Sequence, residues 1–409
     1  MERVNYWLWL QHGLGVGSPL VNEVLVRYGD AITFYQACRE KKWPLERLDA
    51  DQAQRLKQTE PKAFDSVGSF CKQQQIALLT PDDAGFPGRL RTLDAIPAVL
   101  YVKGQLPYED GRLILSVVGA RKTSDTGIKL ALKVCQELAA GDVVIISGLA
   151  EGADTAAHRG ALRGDGCTIG FLACGMDVDY PRASHDLKKI ILNNNGALIT
   201  EFPPGTPPYP ENFKPRNRLI SGYSDGLLVV ECSLGSGSML TVNHAIHQGK
   251  EVFYLNHHPA MRGALTTHEM REHGMIPVES AKEIVLHFMS LSQQMAQTAQ
   301  PASDPNDQAP AADVPSMRPA AQPPSNRNEQ HPAADIVSME PVAQPASNRN
   351  DQALAADAPL MKVAASTPAQ KKGAKGVDYF EQIEKLNFNR MGEPKKVDWQ
   401  SLFDDAPAR

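Results

Sequence analysis

Cysteine is scarce in this chain, since only six occur among 409 residues. None belongs to a C-x-x-C pair, and none stands at metal-ligand spacing from a histidine. These absences argue against a zinc site or a disulfide framework, and we expect no bound metal. No apolar run approaches the roughly 18 residues that a membrane span requires, and the first residues lack the layout of a secretory signal. We therefore expect a soluble, cytoplasmic protein that does not associate with membranes.

A surplus of basic residues is also missing, because 42 lysines and arginines stand against 47 aspartates and glutamates, a net charge of -5. Most nucleic-acid-binding proteins carry a positive excess, which attracts phosphate. A chain of this composition binds nucleic acid only if its cations are concentrated in a focused patch.

Between residues 111 and 290, apolar segments of strand length alternate regularly with segments of helix length. Strands that are apolar throughout indicate a parallel sheet covered on both faces, so this range predicts a doubly wound α/β domain. The predicted strands are 113–118, 143–147, 168–173, 197–201, 226–231 and 251–255. The predicted helices are 126–139, 153–163, 185–193, 216–224, 239–248 and 281–289.

The segment before this domain is different in character. Residues 1–60 predict a small helical domain of the SAM or helix-hairpin-helix type, with Gly13, Gly15 and Gly17 between two helices. These glycines form either a turn whose amides accept a phosphate or, the interpretation that we favour, a simple packing element. Residues 61–110 are interpreted as a connecting segment.

The segment after the domain is repetitive. Residues 291–376 repeat with a period of 22 residues, marked by Gln300, Gln322 and Gln344. Each copy holds too few large apolar residues to build a core, so we expect a disordered linker rather than a solenoid. Residues 377–409 form a short C-terminal segment.

Ligands bind to doubly wound sheets at the carboxyl ends of the strands, so the residues that follow each strand are the candidate site. After the first strand, Gly119, Arg121 and Lys122 precede a helix whose N-terminal amides favour an anion. The dinucleotide pattern G-x-G-x-x-G is missing here, and the guanidinium fork of arginine matches a phosphodiester. The alternative is that Arg121 pairs with a nearby carboxylate. After the second strand, Ser147 and Gly148 begin a turn that predicts a second amide nest for an anion.

The richest group of candidates follows the fourth strand. It consists of Phe213, Lys214, Arg216, Asn217 and Arg218, and it supplies the focused patch of cations. Proteins that bind single strands combine cations along the backbone with aromatic rings that stack on bases. The alternative is a solvated helix start with Phe213 in the core. Arg216 and Arg218 cannot share one helical face, so one of the two has a structural role as its alternative interpretation.

Small residues follow the fifth strand and open another helix. They are Gly235, Ser236, Gly237, Ser238 and Thr241, and they predict a phosphate cradle of amides and hydroxyls. Four anion-accepting loops along one edge of a sheet fit a polyanion better than a single small ligand.

Candidates for catalysis are weak. Asp154 and His158 share a helix face, as an acid–base pair would, but no third group accompanies them and we favour a structural pair. Cys174 lacks the basic neighbour that would make it a thiolate, so we interpret it as structural. We therefore expect no catalytic residue, no cofactor and no enzymatic activity.

Four blocks of this sequence closely resemble the DprA/Smf family of DNA-processing proteins, and their order and spacing match it across about residues 5–255. The blocks are V-G-A-R from Val118, S-G-L-A-E-G-A-D-T-A-A-H from Ser147, R-N-R-L-I-S-G from Arg216 and S-G-S-M-L-T from Ser236. The resemblance implies an extended Rossmann-like domain that binds single-stranded DNA, with Arg121, the Gly148 loop and residues 213–218 as the contacts. It also implies a homodimer that protects incoming DNA and loads the RecA recombinase in natural transformation.

Two other hypotheses stay open. The chain is also compatible with a nucleotide-processing hydrolase of the lysine-decarboxylase-like Rossmann group, which uses glycine-rich strand ends. That group has a Pro-Gly-Gly loop followed by a catalytic glutamate, and residues 231–237 contain neither. The second hypothesis is an adaptor whose C-terminal tail recruits protein partners.

Overall fold

A computed structural model describes residues 2–298 of the protein, apart from 41–44, 46 and 258–262. Within this range, nine strands form one sheet. In chain order they are β1 (Ala77–Leu79), β2 (Leu100–Gly104), β3 (Ile114–Val118), β4 (Val144–Ser147), β5 (Thr168–Phe171), β6 (Ala197–Thr200), β7 (Gly226–Val229), β8 (Glu251–Leu255) and β9 (Ile276–Val278).

The order of the strands across the sheet is β1-β2-β6-β5-β4-β3-β7-β8-β9. Strand β2 pairs antiparallel with β1 and β6, and the other neighbours are parallel. The chain winds from β3 outward to β6 and then returns to β7 on the other side of β3. The predicted doubly wound, mostly parallel sheet is therefore confirmed. The loops after β3 and β7 leave in opposite directions, and such a switch point opens a crevice at the carboxyl edge.

The six predicted strands are present, and three further strands extend the sheet. Strands β1 and β2 come from the segment 61–110, and β9 lies at the opposite edge. Some predicted strands were too long, because the loops that follow them are as buried as the strands. Leu172, Ala173 and Glu201 are examples, since each is buried just beyond the end of a strand.

The helices of the described part are α1 (Val4–Leu14), α2 (Leu20–Tyr28), α3 (Ala31–Arg39), α4 (Ala50–Gln58), α5 (Asp65–Gln73), α6 (Asp125–Ala140), α7 (Ala153–Arg163), α8 (His185–Asn193), α9 (Phe213–Gly222), α10 (Gly237–His247), α11 (Thr267–Glu272) and α12 (Ala281–Thr298). They cover both faces of the sheet. Along β3, Leu115 and Val117 belong to the same core as α6, α7 and α12. Ile114 and Val118 belong to the core that α1, α9 and α10 share. This alternation is the two-residue period of a strand that is buried on both faces.

Helix α9, which carries the richest group of candidates, begins at Phe213 and not at the predicted residue 216. Pro215 occupies its third position, where the amide of any residue lacks an intrahelical partner, so the proline costs no helical hydrogen bond. Helix α10 also begins earlier than predicted, at Gly237, because the Ser236 hydroxyl caps it by accepting from the Met239 amide.

Helix α12 continues to Thr298, beyond the predicted start of the repetitive linker at 291. The rest of the segment 291–376 and the whole of 377–409 lie outside the described residues. Among the helices that the structure describes, none is long and apolar enough to cross a membrane.

The N-terminal helices contact the sheet through buried polar groups. The side-chain amide of Gln11 donates to the backbone oxygens of Val99 and Glu201, at 3.2 and 3.0 Å. The Gly17 amide donates to the Glu201 carboxylate at 3.3 Å. Because this amide already has an anionic partner inside the protein, the contact supports the packing interpretation of the glycine turn. The division of the chain into separate domains stays a prediction.

Candidate nucleic-acid interface

The loops after β3 and β7 and the helix α9 meet at the carboxyl edge of the sheet. The Ser238 hydroxyl donates to the backbone oxygen of Gly119 at 2.7 Å, which joins the β7 loop to the β3 loop. The side-chain amide of Asn217 donates to the backbone oxygen of Gly237 at 3.2 Å, which joins α9 to the start of α10. The structure therefore brings together loops that lie more than a hundred positions apart in the sequence.

Phe213 lies between basic side chains at this edge. The guanidinium carbon of Arg121 is 5.6 Å from the centre of the Phe213 ring, and that of Arg216 is 5.5 Å from it. Tyr180 packs edge-on against the same ring at 6.1 Å. Phe213 is only partly buried, so it lies at the surface and not in the core, as the alternative interpretation required.

A cavity of about 130 Å³ opens beside this ring. Its walls are formed by residues from the loops after β3, β4 and β5 and from the start of α9: Arg121, Gly148, Ala150, Glu151, Leu172, Ala173, Tyr180, Pro181, Phe213 and Arg216. Four of the predicted contacts therefore line one cavity: Arg121, Gly148, Phe213 and Arg216. Glu151, Tyr180 and Pro181 were not among the predicted site residues.

Three of the predicted contacts are cations exposed to solvent, and one of them, Arg121, lines this cavity. Arg121, Lys122 and Lys214 are exposed, and no ion pair joins any of them to another residue of the described part. The alternative that Arg121 pairs with a local carboxylate therefore finds no support. These three side chains are positioned to meet an anion that arrives from solvent.

Arg216, in contrast, is buried and held by the backbone. Its Nη1 donates to the backbone oxygens of Gly148 and Phe171, at 2.9 and 2.6 Å. A Cβ atom on residue 148 would lie 2.5 Å from that nitrogen, so this close approach requires glycine. Arg216 thus fixes the β4 turn, and its charge contributes to the field of the cavity.

The amide nest predicted after β4 already holds an anion. The Asp154 carboxylate accepts hydrogen bonds from the amides of Gly148 and Ala150, at 3.2 and 3.3 Å. Burial raises the pKa of Asp154 to about 6, although the charge of Arg216 opposes this shift. This geometry gives no support to the predicted phosphate nest at this turn, because a carboxylate of the protein accepts from its amides. Ser147 is fully buried and donates its hydroxyl to the backbone oxygen of Val117.

The N-terminus of α6 is occupied in the same way. The Glu231 carboxylate accepts from the Ser124 amide at 2.8 Å and from the Ser124 hydroxyl at 2.5 Å. His257 lies 2.9 Å from the same carboxylate, which is fully buried. The anion position that we expected a phosphate to take at this helix is therefore filled by Glu231. The β3 loop therefore presents the side chains of Arg121 and Lys122, and not its amides, to a ligand.

Arg218 has an internal partner. Its Nη2 donates to both oxygens of the Glu201 carboxylate, at 2.9 and 2.8 Å, and both side chains are buried. Burial raises the pKa of Glu201, and the Arg218 charge counteracts that shift. Of the two arginines that cannot share a helical face, Arg218 makes the structural ion pair, and this geometry gives no support to its predicted contact with DNA.

The small residues after β7 are partly used in the fold. Thr241 is buried and Ser236 caps α10, whereas Gly235 and Gly237 are exposed. Gly235 has a φ of +74°, a conformation that favours glycine. This turn therefore offers backbone to a ligand, with its hydroxyls committed to internal hydrogen bonds.

The weak catalytic candidates each have a structural environment. Asp154 serves the β4 turn, and His158 is fully buried with its Nδ1 2.7 Å from the Thr168 hydroxyl. Burial lowers the pKa of His158 to about 3 and raises the pKa of the Cys174 thiol to about 11. Each of the two residues of the expected Asp154–His158 pair therefore has its own partner. The described residues contain no group of three His, Cys, Asp or Glu side chains that could hold a metal.

The sequence of the chain is similar to those of known proteins. The chain is 37% identical to Protein Smf of Escherichia coli (strain K12) over 238 residues, which is 58% of this chain and 63% of that protein. It thus spans less than two thirds of that relative's length. It is 34% identical to DNA processing protein DprA of Streptococcus pneumoniae (strain ATCC BAA-255 / R6) over 212 residues, which is 50% of this chain and 72% of the relative.

The fold is also similar to a solved structure. The X-ray structure of DNA processing protein A (DprA) from Streptococcus pneumoniae superposes with a TM-score of 0.58 at 28% identity, and the match covers 70% of this chain and 98% of that one. Residues 77–289, more than half of the chain, match the family described as DNA recombination-mediator protein A. These residues include all nine strands of the sheet. The chain therefore belongs to the DNA recombination-mediator protein A family, the DprA/Smf DNA-processing proteins that its four sequence blocks resemble.

Proposed function

We propose that this protein binds single-stranded DNA at the carboxyl edge of its sheet. The observation that carries this proposal is the position of Phe213 beside a cavity, with the guanidinium groups of Arg121 and Arg216 5.6 and 5.5 Å from its ring. Cations that follow the backbone and aromatic rings that accept stacked bases are the two components of single-strand recognition. Both occur here within one small region.

The exposed and the buried cations of the site have different roles. Arg121, Lys122 and Lys214 are exposed and contact phosphates, whereas the buried Arg216 holds the Gly148 turn and adds its charge to the site. An incoming base stacks on Phe213 in place of Arg121, whose guanidinium then turns to a phosphate. The side chain of Asn217 and the exposed backbone of Gly235 and Gly237 border the path of the strand.

The biological role that we propose is the protection of incoming DNA and the loading of the RecA recombinase. Membership of a recombination-mediator family supports a recombinase as the partner, and the Streptococcus pneumoniae relative is named a DNA processing protein. A homodimer, a cytoplasmic location and the absence of enzymatic activity belong to the same proposal.

The nucleotide-hydrolase alternative is less well supported. A nucleotide bound at the switch point of a doubly wound sheet places its phosphate at the helix that follows the first strand. Here that position holds the Glu231 carboxylate, bonded to the Ser124 amide at 2.8 Å. A phosphate there would meet a buried negative charge, which disfavours it.

Titration of the full chain with fluorescent oligo(dT) and with a duplex of equal length, at several salt concentrations, tests the proposal. We expect preference for the single strand and a salt slope of about −0.7 for each phosphate contact. Phe213→Ala should weaken binding by about 5- to 150-fold, because one base loses a stacking contact of about 1–3 kcal/mol.

Tyr108→Ala is the matched control, because Tyr108 is 74% exposed and precedes β3, at the opposite edge of the sheet. Its affinity for oligo(dT) should equal that of the unchanged protein. Equal affinities for Phe213→Ala and the unchanged protein would refute the proposed site.

A further inference from the structure

The helices α6 and α7 pack against each other with almost no space between their backbones. A Cβ atom on Gly160 of α7 would lie 2.5 Å from the backbone oxygen of Leu132 of α6. A Cβ atom on Gly164 would lie 2.4 Å from the backbone oxygen of Gln136. The outer side chains along this line of contact, which we call the α6–α7 seam, therefore belong to one continuous surface.

Four basic side chains flank this seam, two on each helix: Lys129 and Lys133 on α6, and Arg159 and Arg163 on α7. On each helix the two cations are four positions apart, and three of the four stand three positions from a residue of the seam. Residues at these spacings lie on the same side of a helix. The two lysines are exposed and the two arginines are half-buried.

The positive charge beside the seam is only weakly compensated. Lys129 and Arg163 form no ion pair with any residue that the structure describes. Glu137 lies 3.8 Å from Lys133, and both side chains are exposed, so this pair contributes little. Like charges four positions apart on a helix repel each other, and burial together with the charge of Arg163 lowers the pKa of Arg159. In a chain with a net charge of -5, this concentration of cations does not serve the stability of the fold.

The seam begins beside the proposed DNA site. Helix α6 starts at Asp125, three positions after Lys122 of the β3 loop, and both α6 and α7 run away from the carboxyl edge of the sheet. Because a helix rises 1.5 Å per residue, Lys129 and Lys133 follow Asp125 at intervals of about 6 Å. This interval is comparable to the distance between successive phosphates of an extended single strand.

We infer that the α6–α7 seam is a second contact surface for single-stranded DNA, on which the strand continues from the carboxyl edge over Lys129, Lys133 and Arg163. This inference rests on the proposed function, because the carboxyl edge holds the first part of the strand. Neither helix contains a phenylalanine, tyrosine or tryptophan, so the seam contacts phosphates and stacks no bases. Its contribution is independent of the DNA sequence and grows with the length of the strand.

The test compares oligo(dT) strands of about 6 and about 20 nucleotides, because only the longer strand extends beyond the carboxyl edge. Binding is measured at several salt concentrations up to about 0.15 M, where charges that do not touch the DNA are largely screened. The double variant Lys129→Gln/Lys133→Gln should bind the long strand about tenfold more weakly, and its salt slope should be smaller by about 1.4, two contacts of about 0.7 each. Its affinity for the short strand should be unchanged.

The double variant Lys62→Gln/Lys72→Gln is the matched control. It removes the same charge, and both of these lysines are exposed. Lys72 belongs to α5, whose Cys71 is part of the core shared by α1, α9 and α10, on the other side of the sheet from α6 and α7. This control should bind both strands as the unchanged protein does.

The outcomes separate the inference from the proposed function. If the unchanged protein binds both strands and the Lys129/Lys133 variant binds the long strand equally well, the inference is overturned and the proposed function stands. Equal losses for the short and the long strand, or the same loss in the control variant, also overturn the inference, because net charge alone then accounts for them. If the unchanged protein binds neither strand, the proposed function fails and the inference fails with it.

Discussion

At the scale of single residues, carboxylate side chains of the protein itself organise the site. Asp154 lies in the amide nest of the β4 turn, close to the charge of Arg216. Burial penalises its ionised form and raises its pKa to about 6, above the ordinary value of 3.8. A raised pKa means that the folded state favours the protonated form. The contribution of Asp154 to stability is therefore full below about pH 4 and is lost as the pH rises through about 6.

Asp154→Asn should remove this pH dependence, because asparagine keeps an acceptor oxygen for the two amides but does not titrate. Urea unfolding of both proteins between pH 4 and pH 7 measures the effect. Relative to the variant, the unchanged protein should gain on the order of 3 kcal/mol as the pH falls from 7 to 4. A difference between the two proteins that is constant over this range would contradict the prediction.

At the scale of secondary-structure elements, the β3 loop is held in place by its neighbour in the sheet. Glu231 lies two residues beyond the end of β7, and its carboxylate accepts hydrogen bonds from both the amide and the hydroxyl of Ser124, the residue that caps α6. The backbone oxygen of Glu231 also accepts from the Ala120 amide at 2.7 Å. One residue thus anchors both ends of the loop that presents Arg121 and Lys122.

Glu231→Ala should destabilise the protein by about 1–3 kcal/mol, because the partly buried amide of Ser124 loses its acceptor. Unfolding by urea measures this loss. Lys129→Ala is the control, since Lys129 is an exposed residue of α6 and its replacement should change stability by less than about 0.5 kcal/mol. Equal stability of Glu231→Ala and the unchanged protein would show that Glu231 does not anchor the loop.

At the scale of the whole molecule, the N-terminal helices and the sheet share a buried ion pair. Glu201, which follows β6, bonds Arg218 of α9 and the amide of Gly17 in the N-terminal helical segment. A helix of the sheet domain and a turn 184 positions away in the sequence therefore share one carboxylate. Removing one partner of a buried ion pair leaves the other charge without compensation.

Arg218→Met should cost about 3–5 kcal/mol of unfolding free energy, because it leaves the Glu201 carboxylate buried and unpaired. Adding Glu201→Gln should restore part of that loss, since the second change removes the uncompensated charge. Urea unfolding of the two single variants and the double variant measures this coupling. Losses that simply add in the double variant would show that the two side chains do not act as a pair.

Much of the fold was predictable from the order of residues alone. Apolar runs such as those of β3 and β8 are continuous because both faces of a parallel sheet are buried, and this pattern survives in the sequence. The family blocks contain Arg121 and Arg216, and the group of cations after the fourth predicted strand contains Phe213; the structure brings all three to one cavity. These features depend on local spacing, which a sequence displays directly. The ends of strands were less predictable, because loop residues such as Leu172 are as buried as strand residues.

Only the tertiary structure decided what each charge does. The Glu231 carboxylate accepts from the Ser124 amide, 107 positions away in the chain. Arg218 pairs with Glu201, 17 positions away. Arg121 has no carboxylate partner in the described part of the chain. Glu151 joins the cavity because the order of the strands places its turn opposite α9. The strength of a charge interaction depends on distance in space and on exclusion of water, and sequence separation reports neither. The composition of the chain therefore determined that a nucleic-acid site must be small, and the packing of the sheet determined which cations remain to form it.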